Sequence, residues 1–295
     1  DAMRIFAKKE ALLKTPTLSD VELEQIAEKE ELRLRELFPR KISCDESQRI
    51  TREYVDKLLP LIQGESDIAA PDLGTGPREM GWYMDEYSKM TGHTILSIVT
   101  GKPLSLGGSV GREDATGRGV FITILEALTH LNLFVDGTTA AVYGFGKVGY
   151  PTLRYLHEAG IKIVAVSDFY GGIINRNHGL DPLAVYQHSQ KTGSVVGFAD
   201  ADAITNPELL ELDVTILVPA AIENVITEKN APHVKARILA AAANAPVTPQ
   251  GIKILEDMGV FIIPDILCNA GGVTVSHFEG VQGSQRWSWD IKQVE

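Results

Sequence analysis

The chain has 295 residues, 44% of them hydrophobic, with a net charge of −11 and a pI near 5.2. That length fits one large domain or two ordinary ones with a sizeable core, and the acidity argues against nucleic acid or an anionic membrane surface as the main partner. Two cysteines far apart in sequence, Cys44 and Cys268, make no disulfide framework and no zinc site, and they fit a reducing, cytoplasmic compartment.

Asp1 rather than Met opens the chain, as in a fragment or a processed product, and the first residues lack the pattern of a secretory signal. No apolar run is long enough to span a bilayer. Ser19-Asp20-Val21-Glu22 has capping-box spacing and predicts a charged helix to about Phe38, stopped by Pro39. Ser43-Cys44-Asp45-Glu46 repeats the box. It opens a second helix, with Ile50, Tyr54 and Leu58 recurring on one side and Pro60 at its end. A loop rich in Pro and Gly, 67–76, carries Asp72. A third helix follows, with Met80, Tyr83, Met84 and Tyr87 on one face and Gly92 as its stop. Residues 101–119 are rich in glycine and polar side chains and read as a linker that carries function.

A helix at about 120–132 leads into the most informative stretch. Ala140-Ala141-Val142-Tyr143 reads as a buried strand, and Gly144-Phe145-Gly146-Lys147-Val148-Gly149 as a glycine turn opening a helix. In G-x-G-x-x-G the first glycine permits the turn, the second lets a pyrophosphate approach the backbone, and the third lets helix and strand pack closely. The helix start presents N–H groups and a favourable dipole to phosphate. A second strand, 161–166, ends in Ser167-Asp168, completing β-α-β with an acid in place for the adenosine ribose. That acid favours NAD, while a neighbouring cation would leave NADP open. Further alternation follows: a helix at 182–191, strands at 214–218, 237–241 and 260–263, and a helix at 249–258. The class is α/β with a doubly wound, mostly parallel Rossmann-type sheet. Its ligands bind beyond the carboxyl ends of the strands, where the loops carry Asp168, Asn244, Asn269 and Ser276. The two asparagines both donate and accept, as a carboxamide or ribose requires. Asp72 is a candidate proton relay. No His pair has metal-ligand spacing, and neither a nucleophile elbow nor a P-loop occurs.

In combination, these segments resemble the glutamate dehydrogenases of the Glu/Leu/Phe/Val dehydrogenase superfamily. The segments are Ala70-Pro71-Asp72-Leu73-Gly74-Thr75, Met84-Asp85-Glu86-Tyr87-Ser88-Lys89, Thr100-Gly101-Lys102-Pro103, Gly107-Gly108-Ser109 with 112–119, the dinucleotide turn, 219–227 and 264–276. The resemblance implies oxidative deamination of L-glutamate to 2-oxoglutarate and ammonium, with NAD or NADP as cofactor and a homo-oligomer, in the family a hexamer. It implies that Asp72 moves protons beside a lysine, that Thr116 and Asn269 lie at the nicotinamide end, and that Ser276 lies near the substrate side-chain carboxylate. It divides the chain into a reduced, mostly helical substrate domain at 1–100, a dinucleotide-binding domain at 101–267, and a segment at 268–295 returning to the cleft.

There are departures from the pattern. No glycine precedes Gly64, so the family's lysine-bearing glycine-rich segment is not found before the helix at 43–61. The first 40 residues do not resemble the sheet of the substrate domain, and the family's C-terminal helices are not reached. Ala242 and Ala243 stand where the family has Glu-Gly, and Lys147 where it usually has asparagine. These departures frame an alternative: a non-catalytic dinucleotide-binding homologue acting as a partner or regulatory subunit.

Overall fold

The computed structural model describes residues 42–62, 67–72 and 74–295. The helix expected at 20–38 lies outside the described residues. The described chain falls into two compact units, one holding residues to 107 with 283–286, the other 108–282 with 287–295.

In the first unit, α1 (Cys44–Leu58) opens on the capping box expected of it. Glu46 N donates to Ser43 Oγ, and Ser43 N donates to the Glu46 carboxylate. α2 (Pro77–Thr91) starts at a proline and stops at Gly92, whose φ of 78° is left-handed. Its face Met80, Tyr83, Met84 and Tyr87 is buried against Val55, Ile98 and Val99, as the spacing predicts. The expected face of α1 is corrected. Ile50 and Tyr54 are 51% and 57% exposed, and Val55 is the buried residue. Arg52, on the same side as Val55, bonds Asp85 and Glu86 of α2 at 2.6 and 2.7 Å, and Val55 packs into the cluster of Met80, Tyr83 and Ile98.

The second unit is built on a seven-stranded sheet. Its strands are β1 (Thr139–Tyr143), β2 (Lys162–Ser167), β3 (Gly172–Ile174), β4 (Asp202–Ile204), β5 (Ile216–Pro219), β6 (Ile238–Ala240) and β7 (Phe261–Ile263). The order is β4-β3-β2-β1-β5-β6-β7. Strands β2, β1, β5, β6 and β7 run parallel, while β3 and β4 form an antiparallel edge that the sequence pattern did not disclose. Alternate strand residues feed two cores. Ala140, Val142, Ile163, Ile216 and Ile238 join the layer of α3 (Ala115–His130) and α4 (Gly149–Glu158). Ala141, Val164, Leu217 and Leu239 join Leu209 and Leu210 of α6 (Asn206–Leu210) and Leu255 of α7 (Pro249–Asp257), with α5 (Pro182–Thr192) between α4 and α6 in the chain. A sheet covered on both faces is the doubly wound arrangement. The chain finishes with α8 (Asp265–Cys268), α9 (Ala270–Gln285) and α10 (Ile291–Val294).

Two expectations shift here. α3 begins at Ala115, so Thr116, Gly117 and Gly119 are helical rather than in the linker. Ser276 lies inside α9 and not in a loop after a strand. Glycine is a poor helix former, and both helices use it for contact. A Cβ at Gly117 would lie 2.7 Å from Pro151 Cβ in α4, and one at Gly119 would lie 2.8 Å from Gly271 N in α9.

Candidate functional site

The carboxyl ends of β2, β1 and β5 are level, because Tyr143 is paired with both Ser167 and Pro219. β1 has its sequence neighbour β2 on one side and β5 on the other, so the crevice after β1 is the topological switch point. The Gly144–Gly149 turn occupies it. Gly144 has φ 110°, and a Cβ there would meet Ala221 at 2.9 Å. A Cβ at Gly149 would collide with the Gly144 carbonyl. At Gly146 a Cβ would meet nothing within 4 Å. Two glycines therefore serve packing, and the middle one faces open space. No side chain caps α4 at Val148, and the first N–H groups of a helix have no intrahelical partner. Lys147 is exposed on the same turn, and Phe145 and Tyr150 meet edge to face at 5.5 Å. The turn fits a pyrophosphate: open backbone, helix N-terminus and a cation.

Asp168 follows β2 directly. Its Oδ1 accepts from Tyr170 N at 2.8 Å and its Oδ2 from Val195 N at 2.7 Å. Each carboxylate oxygen keeps a second lone pair for a ribose hydroxyl. Asn206, which the sequence reading missed, donates from Nδ2 to Asp168 O at 3.0 Å.

Beyond β6 and β7 the structure brings two candidates together. Asn269 Nδ2 donates to Asn244 Oδ1 at 2.8 Å. The Asn244 loop is held by Asp265, whose carboxylate accepts from Ala245 N at 2.7 Å. Thr116, in the first turn of α3, sits against Gly272 in the first turn of α9, where a Cβ would collide with its hydroxyl. Ala242 is buried in the core, so no carboxylate enters at that position. Cys268 is buried beside Asn269, and burial pushes its thiol up to about 12, which keeps it protonated.

Ser276 has a partner that the sequence reading passed over. Arg112 Nε donates to Ser276 Oγ at 2.8 Å, across 164 residues of sequence. Burial pushes the Arg112 guanidinium below its usual value, and the charge of the buried Glu279 opposes that. Beneath the pair, Gln282 Nε2 donates to Ser109 Oγ at 2.9 Å, and Gln282 Oε1 accepts from Trp289 N at 2.8 Å. A half-buried guanidinium beside a hydroxyl is a donor pair for a carboxylate. Only its presence in the glycine-rich motif of 107–119 marked Arg112 in the sequence.

Asp72 belongs to the other unit and is described by itself. Its loop is laid along residues 98–100: Ala69 N donates to Ile98 O at 3.0 Å and Thr100 N to Ala69 O at 2.8 Å. Asp72 N donates to Thr75 Oγ1 at 2.8 Å, and Thr75 N to Asp72 O at 3.0 Å, so the backbone around the carboxylate is fixed. Lys102, buried in the adjoining segment, donates to Val99 O at 3.1 Å. Among the described residues no group of three or more His, Cys, Asp or Glu side chains could hold a metal ion. No described helix is long and apolar enough to cross a membrane.

Residues 107–295 match the family model of Glutamate/Leucine/Phenylalanine/Valine dehydrogenase, and residues 36–89 match that of the Glu/Leu/Phe/Val dehydrogenase dimerisation domain. The chain belongs to the Glu/Leu/Phe/Val dehydrogenase family. It is 48% identical over 257 residues to the glutamate dehydrogenase of Thermotoga maritima, covering 87% of this chain and 62% of that protein. It is 45% identical over 257 residues to a cryptic catabolic NAD-specific glutamate dehydrogenase of Bacillus subtilis, covering 87% and 60%. The structure is similar to a hetero-hexameric glutamate dehydrogenase from Thermus thermophilus solved in a leucine-bound form. The TM-score is 0.82 at 33% identity, over 87% of this chain and 61% of that one. The chain thus spans about three fifths of the length of the family members it matches.

Proposed function

We propose that this chain acts as a glutamate dehydrogenase, converting L-glutamate to 2-oxoglutarate and ammonium with a nicotinamide dinucleotide as cofactor. The observation that carries the reading is the Arg112–Ser276 pair at 2.8 Å, in the same unit as the open glycine turn. A substrate with a second, side-chain carboxylate suits that pair, because a guanidinium N–H and a hydroxyl can both donate to it. When bound, the nicotinamide supplies the hydride acceptor. The chain's own residues do the rest. The turn at Gly144, Phe145, Gly146, Lys147, Val148 and Gly149 holds the pyrophosphate, Asp168 the adenosine ribose, and Thr116, Asn244 and Asn269 the nicotinamide end. Ser276 with Arg112 binds the substrate side-chain carboxylate. Asp72 carries the proton between substrate amine and solvent.

Asp168 supports NAD in preference to NADP, because a carboxylate repels a 2′-phosphate. The similarity to a dimerisation domain and to a hetero-hexameric structure supports an oligomer, for which a homo-oligomer is the form proposed. The cysteines, neither in a disulfide, support a reducing, cytoplasmic setting.

The test is reduction of NAD⁺ and of NADP⁺ by the purified chain with L-glutamate, with reduced cofactor titrated into the same sample. Turnover with NAD⁺ supports the proposal. Binding without turnover would sink its catalytic half and leave a dinucleotide-binding homologue. Neither binding nor turnover would sink all of it.

A further inference from the structure

The hairpin between β2 and β3 ends in two residues that the fold does not require to be aromatic. Ser167 pairs with Gly172, and Asp168 N donates to Gly171 O at 2.8 Å, which leaves Phe169 and Tyr170 alone at the tip. Two-residue tips favour Gly, Asn and Asp. Here they carry large apolar rings, 90% and 75% exposed, set edge to face with centroids 5.4 Å apart. The support beneath them is fixed at three points: the two backbone N–H groups held by the Asp168 carboxylate, and the Asp168 carbonyl held by Asn206. Exposed aromatic surface on a rigid mount marks a contact site.

We propose that Phe169 and Tyr170 form a stacking platform for the adenine ring of the dinucleotide, with Asn206 as the positioning residue that holds the platform in place. This rests on the dinucleotide reading above and names which residues decide the adenosine end. The occupant follows from the register. Tyr143 opposite Ser167 puts Asp168 beside the glycine turn, so a pyrophosphate on the turn delivers its adenosine to the end of β2. Consecutive Cα atoms lie about 3.8 Å apart, so a base whose ribose is held by Asp168 falls within reach of the next side chains. Stacking needs no charge, which suits a neutral base on an acidic protein, and every base offers a face to an aromatic ring.

The test is calorimetric titration of NADH and of ADP into the purified chain and into Phe169→Ala, Phe169→Trp, Tyr170→Ala and Asn206→Ala, with a thermal melt of each. The alanine variants at Phe169 and Tyr170 should weaken NADH and ADP alike, about tenfold for Phe169, with unchanged melting temperatures. Phe169→Trp should restore affinity, and Asn206→Ala should weaken ADP in the same direction. If wild type binds NADH and the two alanine variants bind it equally well, the platform is refuted and the dinucleotide reading stands. Phe169→Trp as weak as Phe169→Ala would also refute stacking. Wild type that binds neither NADH nor ADP would overturn the dinucleotide reading and the platform with it.

Discussion

Two substitutions three residues apart in the glycine turn should fail in opposite ways. At Gly146 an added Cβ meets nothing within 4 Å, and the backbone is not left-handed. Alanine there should leave the fold intact or add about 0.4–1 kcal/mol by restricting the unfolded chain. The methyl group then stands where a pyrophosphate must approach, within a contact shell about 3.5–4.0 Å thick. Losing one charge-assisted hydrogen bond to phosphate is worth about 1.5–3 kcal/mol, so NADH affinity should fall roughly 10- to 100-fold. At Gly149 the added Cβ collides with the Gly144 carbonyl, a backbone atom that cannot swing aside. Overpacking of this kind costs about 1–3 kcal/mol, which in a unit of this size lowers the melting temperature by about 2–12 °C. The assay is a thermal melt and a calorimetric NADH titration on each variant. Unchanged NADH affinity in Gly146→Ala would refute the pyrophosphate site. An unchanged melt in Gly149→Ala would refute the close helix–turn packing.

Replacing Arg112 by Met should raise the KM for glutamate and lower kcat/KM by about 10- to 100-fold, the range for a hydrogen bond to a charged group. Ser276→Ala should do the same to a smaller degree, and an unchanged KM in both would remove the pair from the substrate site. Glu86 is held below the usual carboxylate range first by its hydrogen bond from Arg52 and then by Lys89. Its contribution is present above its unfolded value near about 4.3 and is lost as pH falls. Glu86→Gln should therefore cost about 1–2 kcal/mol in urea unfolding at pH 7, and the gap should close in acid; a gap constant with pH would contradict this. For Cys268 the sign is reversed. A thiol raised to about 12 in the fold keeps its proton where the unfolded chain has lost it, so stability should decline as pH rises above about 8.5. Native protein at pH 8 should take one iodoacetamide adduct, on the exposed Cys44, and two once unfolded; two adducts in the native state would refute the burial argument.

What the sequence disclosed was local. The caps of α1 and α2, the strand preceding the glycine turn, and the acid after β2 all follow from patterns a few residues long. The same is true of the near-continuous apolar strands, which read as buried on both faces because alternate residues feed two cores. What it concealed depends on distance along the chain. β3 and β4 open on Gly172 and on the exposed Asp202, so neither makes the apolar run that marks β6 and β7, which are just as short. Gly117 and Gly119 argue against a helix until α4 and α9 are seen pressed against them. The face that α1 turns to α2 carries Arg52 and Val55, residues outside its regular apolar spacing. Arg112 and Ser276 are 164 residues apart, and Asn244 and Asn269 are 25 apart; neither pairing is visible in either residue's surroundings in the sequence.

The parts of the proposed dinucleotide site are held by different physics, and that divides what is free to change. At the turn, and where α3 meets α9, position is set by backbone against backbone: Gly149 on the Gly144 carbonyl, Gly119 on Gly271, Gly271 on the Ala115 carbonyl. A side chain added at any of these must move a helix, so fold and site stand or fall together. At the adenosine end position is set by side chains on a hairpin tip: Asp168 holding Tyr170 and Val195, Asn206 holding Asp168, and two exposed rings beyond. A substitution at Phe169 or Tyr170 removes no core contact. Preference at the proposed ribose and base positions is therefore adjustable without disturbing the sheet, whereas Gly149, Gly119 and Gly271 are not. Lys147 lies on the same turn but is exposed, so its side chain belongs with the adjustable set. A change from NAD toward NADP would be sought at Asp168 together with Lys147, and not among the glycines.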